Sequence, residues 1–67
     1  MKAELRELIA EYIEPPADDA PLVLDSLSMV TLVEAIEDRF GIRVAPRDVN
    51  ADNFGTIDRL AAYVASR

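Results

Sequence analysis

One stretch of the chain, from Leu24 to Gly41, carries both the start and the stop signals of a helix. Asp25 or Ser26 can accept a hydrogen bond from the first free backbone N–H groups of this helix. At the other end, Gly41 can adopt the left-handed conformation that closes a last turn, and Arg39 lies beside the negative end of the helix dipole. We therefore predict a central helix against which the rest of the chain packs.

The two sides of this helix differ in character. At about 100° per residue, one side forms an apolar stripe for the core, which consists of Met29, Leu32, Val33, Ile36 and Phe40. The opposite side carries Leu27, Thr31, Glu34 and Asp38, with Val30 and Glu37 on the flank between the two. We expect Leu27 to be exposed. A serine at the helix start, followed by a face with one leucine and several carboxylates, is typical of a docking surface beside an attachment point.

Two further amphipathic helices flank the central one. The first is predicted from Lys2 to Glu14, where Pro15-Pro16 ends it, and its apolar positions are Leu5, Leu8, Ile9, Tyr12 and Ile13. The last helix is predicted to begin after Thr56 as its cap, and its apolar positions are Ile57, Leu60, Ala61 and Val64.

The connecting segments complete the predicted fold. Residues 17–21 form a polar loop, and residues 22–24 an apolar lead-in under the first helix that has no strand to pair with. Pro46 suits the first position of a short helix, with Val49 as its buried residue. Residues 50–55 are predicted to be a loop anchored by Phe54. We expect a single all-α domain spanning 1–67, a small four-helix bundle with three main helices and one short helix.

Composition excludes several classes of function. The chain has no cysteine and no histidine, so zinc sites, Ser-His-Asp triads and Cys-His pairs are excluded. Thirteen acidic against seven basic residues give a net charge of −6, which argues against nucleic acid or an anionic membrane and favours basic protein partners. No apolar run is long enough for a membrane span, and the charged N-terminus differs from a signal region. We expect a cytoplasmic protein.

Two sets of acidic residues do not support a metal or catalytic site. The segment 48–52 begins like a calcium-binding EF-hand loop, but Asn53 and Arg59 stand where that loop needs glycine and glutamate. The carboxylates of the central helix have no histidine beside them, so a solvated acidic face is the default interpretation. Ser26 lacks a base to activate it, since Lys2 is the only lysine, and an enzyme is not expected.

The motifs of the chain resemble those of the acyl carrier proteins, whose Asp-Ser-Leu motif opens the second helix. The matching residues are Leu24-Asp25-Ser26-Leu27, Val30, Leu32-Val33, Ile36-Glu37-Asp38, Phe40-Gly41-Ile42, Pro46, Val49 and Phe54-Gly55-Thr56-Ile57. The resemblance covers the chain from about Leu22 to Val64.

The resemblance implies a carrier of covalently bound cargo. In that family the serine matching Ser26 carries 4′-phosphopantetheine, which a phosphopantetheinyl transferase takes from coenzyme A, and the thiol of this arm holds an acyl or aminoacyl thioester. The family docks onto basic patches of loading and pathway enzymes through the face that matches Leu27, Glu37 and Asp38, with Asp25 at its start. Our own helical projection adds Thr31 and Glu34 to this face. We expect a monomer, because self-association could cover this face and a monomer leaves it accessible to partner enzymes.

Departures from the family pattern leave the pathway open. Leu22-Val23-Leu24 stands where glycine is common, and Glu34 where a hydrophobic residue is frequent. These differences favour a specialised pathway over housekeeping fatty-acid synthesis, and the Asp-Ser-Leu form also occurs in stand-alone aminoacyl and D-alanyl carriers. An alternative of another class is an unmodified helical interaction module that binds a basic partner through the same face.

Overall fold

The chain folds into four helices joined by loops, and the computed structural model describes all of its residues, 1–67. The helices are α1 (Lys2–Ile9), α2 (Ser26–Phe40), α3 (Ala51–Phe54) and α4 (Ile57–Ala65), with a 3-10 turn at Pro46–Asp48. Helix α1 packs against α2 and α4, and α3 packs against α4. The predicted all-α bundle of three main helices and one short helix is confirmed. None of these helices combines the length and the apolar character that crossing a membrane requires.

One hydrophobic core lies between the helices. Its buried members are Leu5, Leu8, Ile9, Leu22, Leu32, Ile36, Val44, Phe54, Ile57, Leu60, Tyr63 and Val64. Of the stripe predicted on α2, Leu32 and Ile36 are completely buried, whereas Met29, Val33 and Phe40 are half-buried against the core. The apolar face of α2 therefore lies where its periodicity predicts, and its centre is at Leu32 and Ile36.

The ends of α2 are fixed by local chemistry. Of the two candidate caps, Asp25 is the residue that caps the helix, because its Oδ1 accepts a hydrogen bond from the Ser28 N–H at 2.7 Å. Ser26 is then the first residue of the helix and takes no part in capping. Gly41 has a φ of 65°, the left-handed conformation predicted for the residue that ends the helix.

Helix α1 is shorter than predicted. Its α-helical part ends at Ile9 rather than at Glu14, and the chain continues through tighter turns in which the Tyr12 N–H donates to the Ile9 carbonyl at 2.9 Å. The prolines that follow cannot continue a helix. Arg6 also donates to the Pro16 carbonyl at 2.8 Å, so the chain must turn back along the helix instead of extending it.

The apolar lead-in to α2 has a partner that the sequence does not reveal. The Leu22 N–H donates to the Gly55 carbonyl at 2.8 Å, and Pro21 forms an isolated bridge with Thr56. This single point of pairing makes no strand, but it fastens the first loop to the start of α4. The expectation that nothing pairs with this segment is therefore wrong.

The segment predicted as a loop over 50–55 contains α3. The Asn50 side chain caps this short helix by accepting from the Asn53 N–H at 3.0 Å, so an asparagine before the helix was the overlooked signal. Phe54 is buried as predicted. The short helix predicted to begin at Pro46 is instead a single 3-10 turn, and Val49, predicted to be its buried residue, is only half-buried.

Candidate functional site

The start of α2 presents an exposed serine hydroxyl. Ser26 is exposed at the first position of the helix, and its hydroxyl takes part in no hydrogen bond within the chain. The capping that would otherwise engage a serine at this point is done by Asp25. The positive end of the helix dipole favours an anion close to such a hydroxyl. The hydroxyl is thus accessible for chemistry without loss of the helix cap.

The Asp25 carboxylate is held in its charged form beside this serine. Hydrogen bonding to the Ser28 backbone N–H is the main reason that the pKa of Asp25 lies below its ordinary value of 3.8. The site at neutral pH therefore contains one fixed negative charge directly before the serine.

Three of the residues predicted to contact partners are free to do so. Leu27 is 79% exposed, and Glu34 and Asp38 are exposed on the same side of α2. Neither carboxylate belongs to any of the ion pairs of the chain, which are Lys2 with Asp18, Lys2 with Asp58, Arg6 with Asp18, Arg39 with Glu4 and Arg59 with Asp52. A leucine and two unpaired carboxylates thus face solvent.

The other three predicted partner-binding residues are already engaged within the chain. Asp25 caps α2 as described, and the hydroxyl of the half-buried Thr31 donates to the Leu27 carbonyl at 3.0 Å. The half-buried Glu37 uses Oε2 to accept from the Val44 N–H at 2.9 Å. Glu37 therefore links α2 to the segment that leads to the 3-10 turn, and only its second oxygen is left for a partner.

Two exposed aliphatic residues belong to this surface and were not among the predicted contacts. Val23 is 77% exposed just before α2, and Val30 is 57% exposed on the helix. Val30 lies three positions after Leu27, so the two side chains are neighbours on the helix surface. Val30 lies on the helix between the apolar stripe and the side that carries Leu27, Glu34 and Asp38, and this position was the sequence signal that could have identified it as a contact residue.

Two grooves run along α2 on either side of Glu34. The first, of about 310 Å³, lies between α2 and the segment 44–49 and has an almost wholly apolar wall. The second, of about 350 Å³, is polar and is lined by Glu34, Glu37, Asp38, Ile42 and Arg43. Glu34 thus stands on the ridge between an apolar groove and an acidic one.

Comparison with known protein families matches residues 3–64 to the family described as "Phosphopantetheine attachment site". The chain belongs to this family of carrier proteins. One curated relative, the 4-methyl-3-hydroxyanthranilic acid carrier protein of Streptomyces anulatus, is 31% identical over 70 aligned positions, which cover 97% of this chain and 90% of the relative. No solved structure gives a significant match.

Membership supplies the thiol that this chain itself lacks. The carrier domain is a site of covalent 4′-phosphopantetheine attachment, so the thiol comes from the arm and not from a side chain. Carrier proteins are not enzymes, and they act by interacting with phosphopantetheinyl transferases and with enzymes of a pathway. The resemblance drawn from the motifs of α2 is therefore confirmed at the level of the family.

Proposed function

We propose that this carrier protein holds its 4′-phosphopantetheine arm on Ser26. One observation carries the proposal: in a chain of the phosphopantetheine family, Ser26 is an exposed serine with an unengaged hydroxyl at the start of α2. The residues present also fit the group, because the first turn of a helix favours a phosphodiester, and Asp25 secures that turn without using the serine.

Attachment requires a separate transferase, because the chain has no histidine and only one lysine, so it offers no base of these kinds near Ser26. The Ser26 hydroxyl gives its proton to a base of the transferase, and its oxygen bonds to the phosphorus that carries the pantetheine in coenzyme A. The bond from that phosphorus to the 3′,5′-ADP part breaks, and 3′,5′-ADP leaves. The product is a phosphodiester, and the free thiol of the arm can then take an acyl group.

The exposed side of α2 is the proposed docking surface for the transferase, the loading enzyme and the downstream enzymes. Leu27 and Val30 offer apolar contact next to the serine, while Glu34 and Asp38 offer charge farther along the helix. The net charge of −6 makes partners with basic patches the complementary ones. We propose that the protein works in the cytoplasm as a monomer, which leaves this surface accessible.

The proposed cargo is an aromatic carboxylic acid held as a thioester in a specialised pathway. The relative from Streptomyces anulatus is named as the carrier of such an acid and aligns over almost the whole chain. The departures of this sequence from the fatty-acid carriers at Leu22-Val23-Leu24 and at Glu34 also favour a specialised role. Fatty-acid, polyketide, peptide, aminoacyl and D-alanyl pathways are the competing assignments that loading experiments distinguish.

Intact-mass measurement tests the attachment residue. The purified protein is incubated with coenzyme A and a broad-specificity phosphopantetheinyl transferase, and the mass is compared before and after. We expect a single phosphopantetheine adduct on the natural sequence and none on the Ser26→Ala variant. Ser28→Ala is the matched control, because Ser28 lies in the same helical turn and its variant keeps the backbone N–H that Asp25 binds.

The result contradicts the proposal if Ser26→Ala is still modified. Absence of any adduct on the folded natural protein would instead favour an unmodified interaction module. Circular dichroism of each variant establishes that it is folded, which the location of the cap on Asp25 leads us to expect.

A further inference from the structure

The positive charge that the fold leaves unpaired is concentrated in one short segment. The chain has seven basic residues. Four of them form ion pairs within the chain, namely Lys2, Arg6, Arg39 and Arg59. Arg67 lies over the Tyr63 ring. The remaining two, Arg43 and Arg47, are exposed and have no ion-pair partner, so the free positive charge of this acidic protein is carried by the segment that follows α2.

This segment lies beside the proposed docking surface on α2. Arg43 lines the same polar groove as Glu34 and Asp38, yet it is within ion-pair distance of neither carboxylate. Arg47 directly follows Pro46, which lines the apolar groove together with residues of α2. The surface around the two grooves therefore carries carboxylates on α2 and guanidinium groups on the segment that runs beside it. A partner that covers this surface meets charges of both signs.

The two arginines act against a partner whose patch is basic throughout. Two unit charges about 10 Å apart in water change an association rate or equilibrium by roughly twofold. Two arginines that face several basic residues should therefore slow association by roughly threefold to tenfold at low salt. A carboxylate of the partner opposite either arginine reverses the sign of this effect, because a guanidinium group binds a carboxylate through two parallel hydrogen bonds. Repulsion of wrong partners and attraction of the right one both contribute to specificity.

We propose that Arg43 and Arg47 are specificity residues, which select a loading enzyme whose docking patch places carboxylates beside its basic residues. The same two residues disfavour loading enzymes whose patch is basic throughout. This inference rests on the proposed function, since it requires a carrier that is loaded through the arm on Ser26. It adds to the acidic side of α2 a second contact of opposite sign, which the net charge of −6 conceals.

Loading by an enzyme of known surface tests the repulsion. The probe is a malonyl transferase of fatty-acid synthesis selected for a docking patch that is basic throughout. The arm sulfur bonds to the malonyl carbonyl carbon as the bond to the coenzyme A sulfur breaks, and the proton of the arm thiol ends on coenzyme A. The kcat/KM for malonyl coenzyme A-dependent loading is measured at low and high salt for Arg43→Gln, Arg47→Gln, the double variant and the natural protein.

We expect the double variant to be loaded roughly threefold to tenfold faster than the natural protein at low salt, with a smaller gain for each single variant. The gain should fade at high salt because the charges are screened. Arg59→Gln is the matched control for the single variants, since it changes the net charge equally but lies on α4, where Arg59 pairs with Asp52. Loading of the double variant that is no faster than that of the natural protein overturns the proposal.

Charge reversal in the probe enzyme tests the attraction. Basic residues of its patch are changed one at a time to glutamate, and each enzyme variant is tested on the natural protein and on the double variant. We expect at least one glutamate to speed the loading of the natural protein and to give no gain with the double variant, as a direct contact requires. If no glutamate speeds loading of the natural protein, selection of an acidic partner contact is wrong.

The outcomes separate this inference from the proposed function. Intact mass and circular dichroism first establish that each protein carries the arm and is folded. A natural protein without the arm means that the attachment proposal fails before loading is measured. Equal loading of the natural protein and the double variant, both carrying the arm, overturns the role of Arg43 and Arg47 alone. Absence of loading in every variant also counts against this role, because removal of the two arginines should give a measurable rate.

Discussion

The hydrogen bond from the Val44 N–H to Glu37 Oε2 predicts that two neighbouring carboxylates of α2 contribute very differently to stability. The two atoms are 2.9 Å apart, and Val44 is only 7% exposed, so Glu37→Ala leaves a donor without a partner next to the core. An unsatisfied buried donor costs about 1–3 kcal/mol, and we expect the lower half of this range because Glu37 is half-buried and water can reach its former position. Asp38→Ala removes an exposed side chain without a partner and should change the free energy of unfolding by less than about 0.5 kcal/mol.

Urea unfolding, followed by circular dichroism at a helical wavelength, measures both variants against the natural protein. For a domain of this size, 1 kcal/mol corresponds to a shift of roughly 4–8 °C in the melting temperature, so thermal unfolding gives a second measurement. Glu37→Gln is the matched control, because its amide oxygen can still accept from the Val44 N–H and should retain much of the stability. Hydrogen exchange at the Val44 amide should accelerate in Glu37→Ala and stay unchanged in Asp38→Ala. Equal unfolding midpoints for the two alanine variants would refute the reasoning.

Three further substitutions probe the two ends of α2 and the hydrogen bond between α4 and the 3-10 turn. Asp25→Ala should lower the urea midpoint near neutral pH. Because the pKa of Asp25 is lowered in the folded protein, the stability that its carboxylate adds is present above the ordinary pKa of 3.8 and is lost as the pH falls through the folded-state pKa. The midpoints of the natural protein and the variant should therefore converge in acid. Gly41→Ala should lower the free energy of unfolding in urea by roughly 1–2 kcal/mol, because alanine is strained at a φ of 65°. No atom lies within 4 Å of the new methyl group, so no packing contact changes this value, and an unchanged midpoint would contradict the prediction. Tyr63→Phe should cost about 1 kcal/mol, since the hydroxyl donates to Asp48 at 2.8 Å, and a free energy of unfolding equal to that of the natural protein would argue against this bond.

The sequence predicts most of what is local in this fold. The start and the end of α2 follow from Asp25 and Gly41, because capping and the left-handed turn depend on residues within a few positions of one another. Its buried face follows from helical periodicity, and Leu32 and Ile36 lie at the centre of the predicted stripe. Leu27 was likewise expected to be exposed on the geometry of one helix alone.

What the sequence does not predict depends on segments that are distant along the chain. The first loop is fastened by the Leu22 bond to Gly55, and the early end of α1 is accompanied by the Arg6 bond to Pro16. Glu37 illustrates the consequence for the site: spacing identifies the helix face on which it lies, but not the return of Val44 to occupy one of its oxygens. An acidic residue on an exposed face is therefore not automatically available to a partner.

Because the α2 cap lies on Asp25 and not on Ser26, modification of the serine should not weaken the fold. The phosphodiester adds a negative charge at the positive end of the helix dipole, which favours it by about 0.3–1 kcal/mol, while the charged Asp25 opposes it. We therefore expect nearly equal urea midpoints before and after attachment of the arm, with the modified protein gaining relative stability as acid neutralises Asp25. A marked loss of stability on modification that persists when acid neutralises Asp25 would mean that the Ser26 hydroxyl contributes to the fold. Similar stability in both forms would allow a loading enzyme to recognise the same α2 surface that the transferase has used.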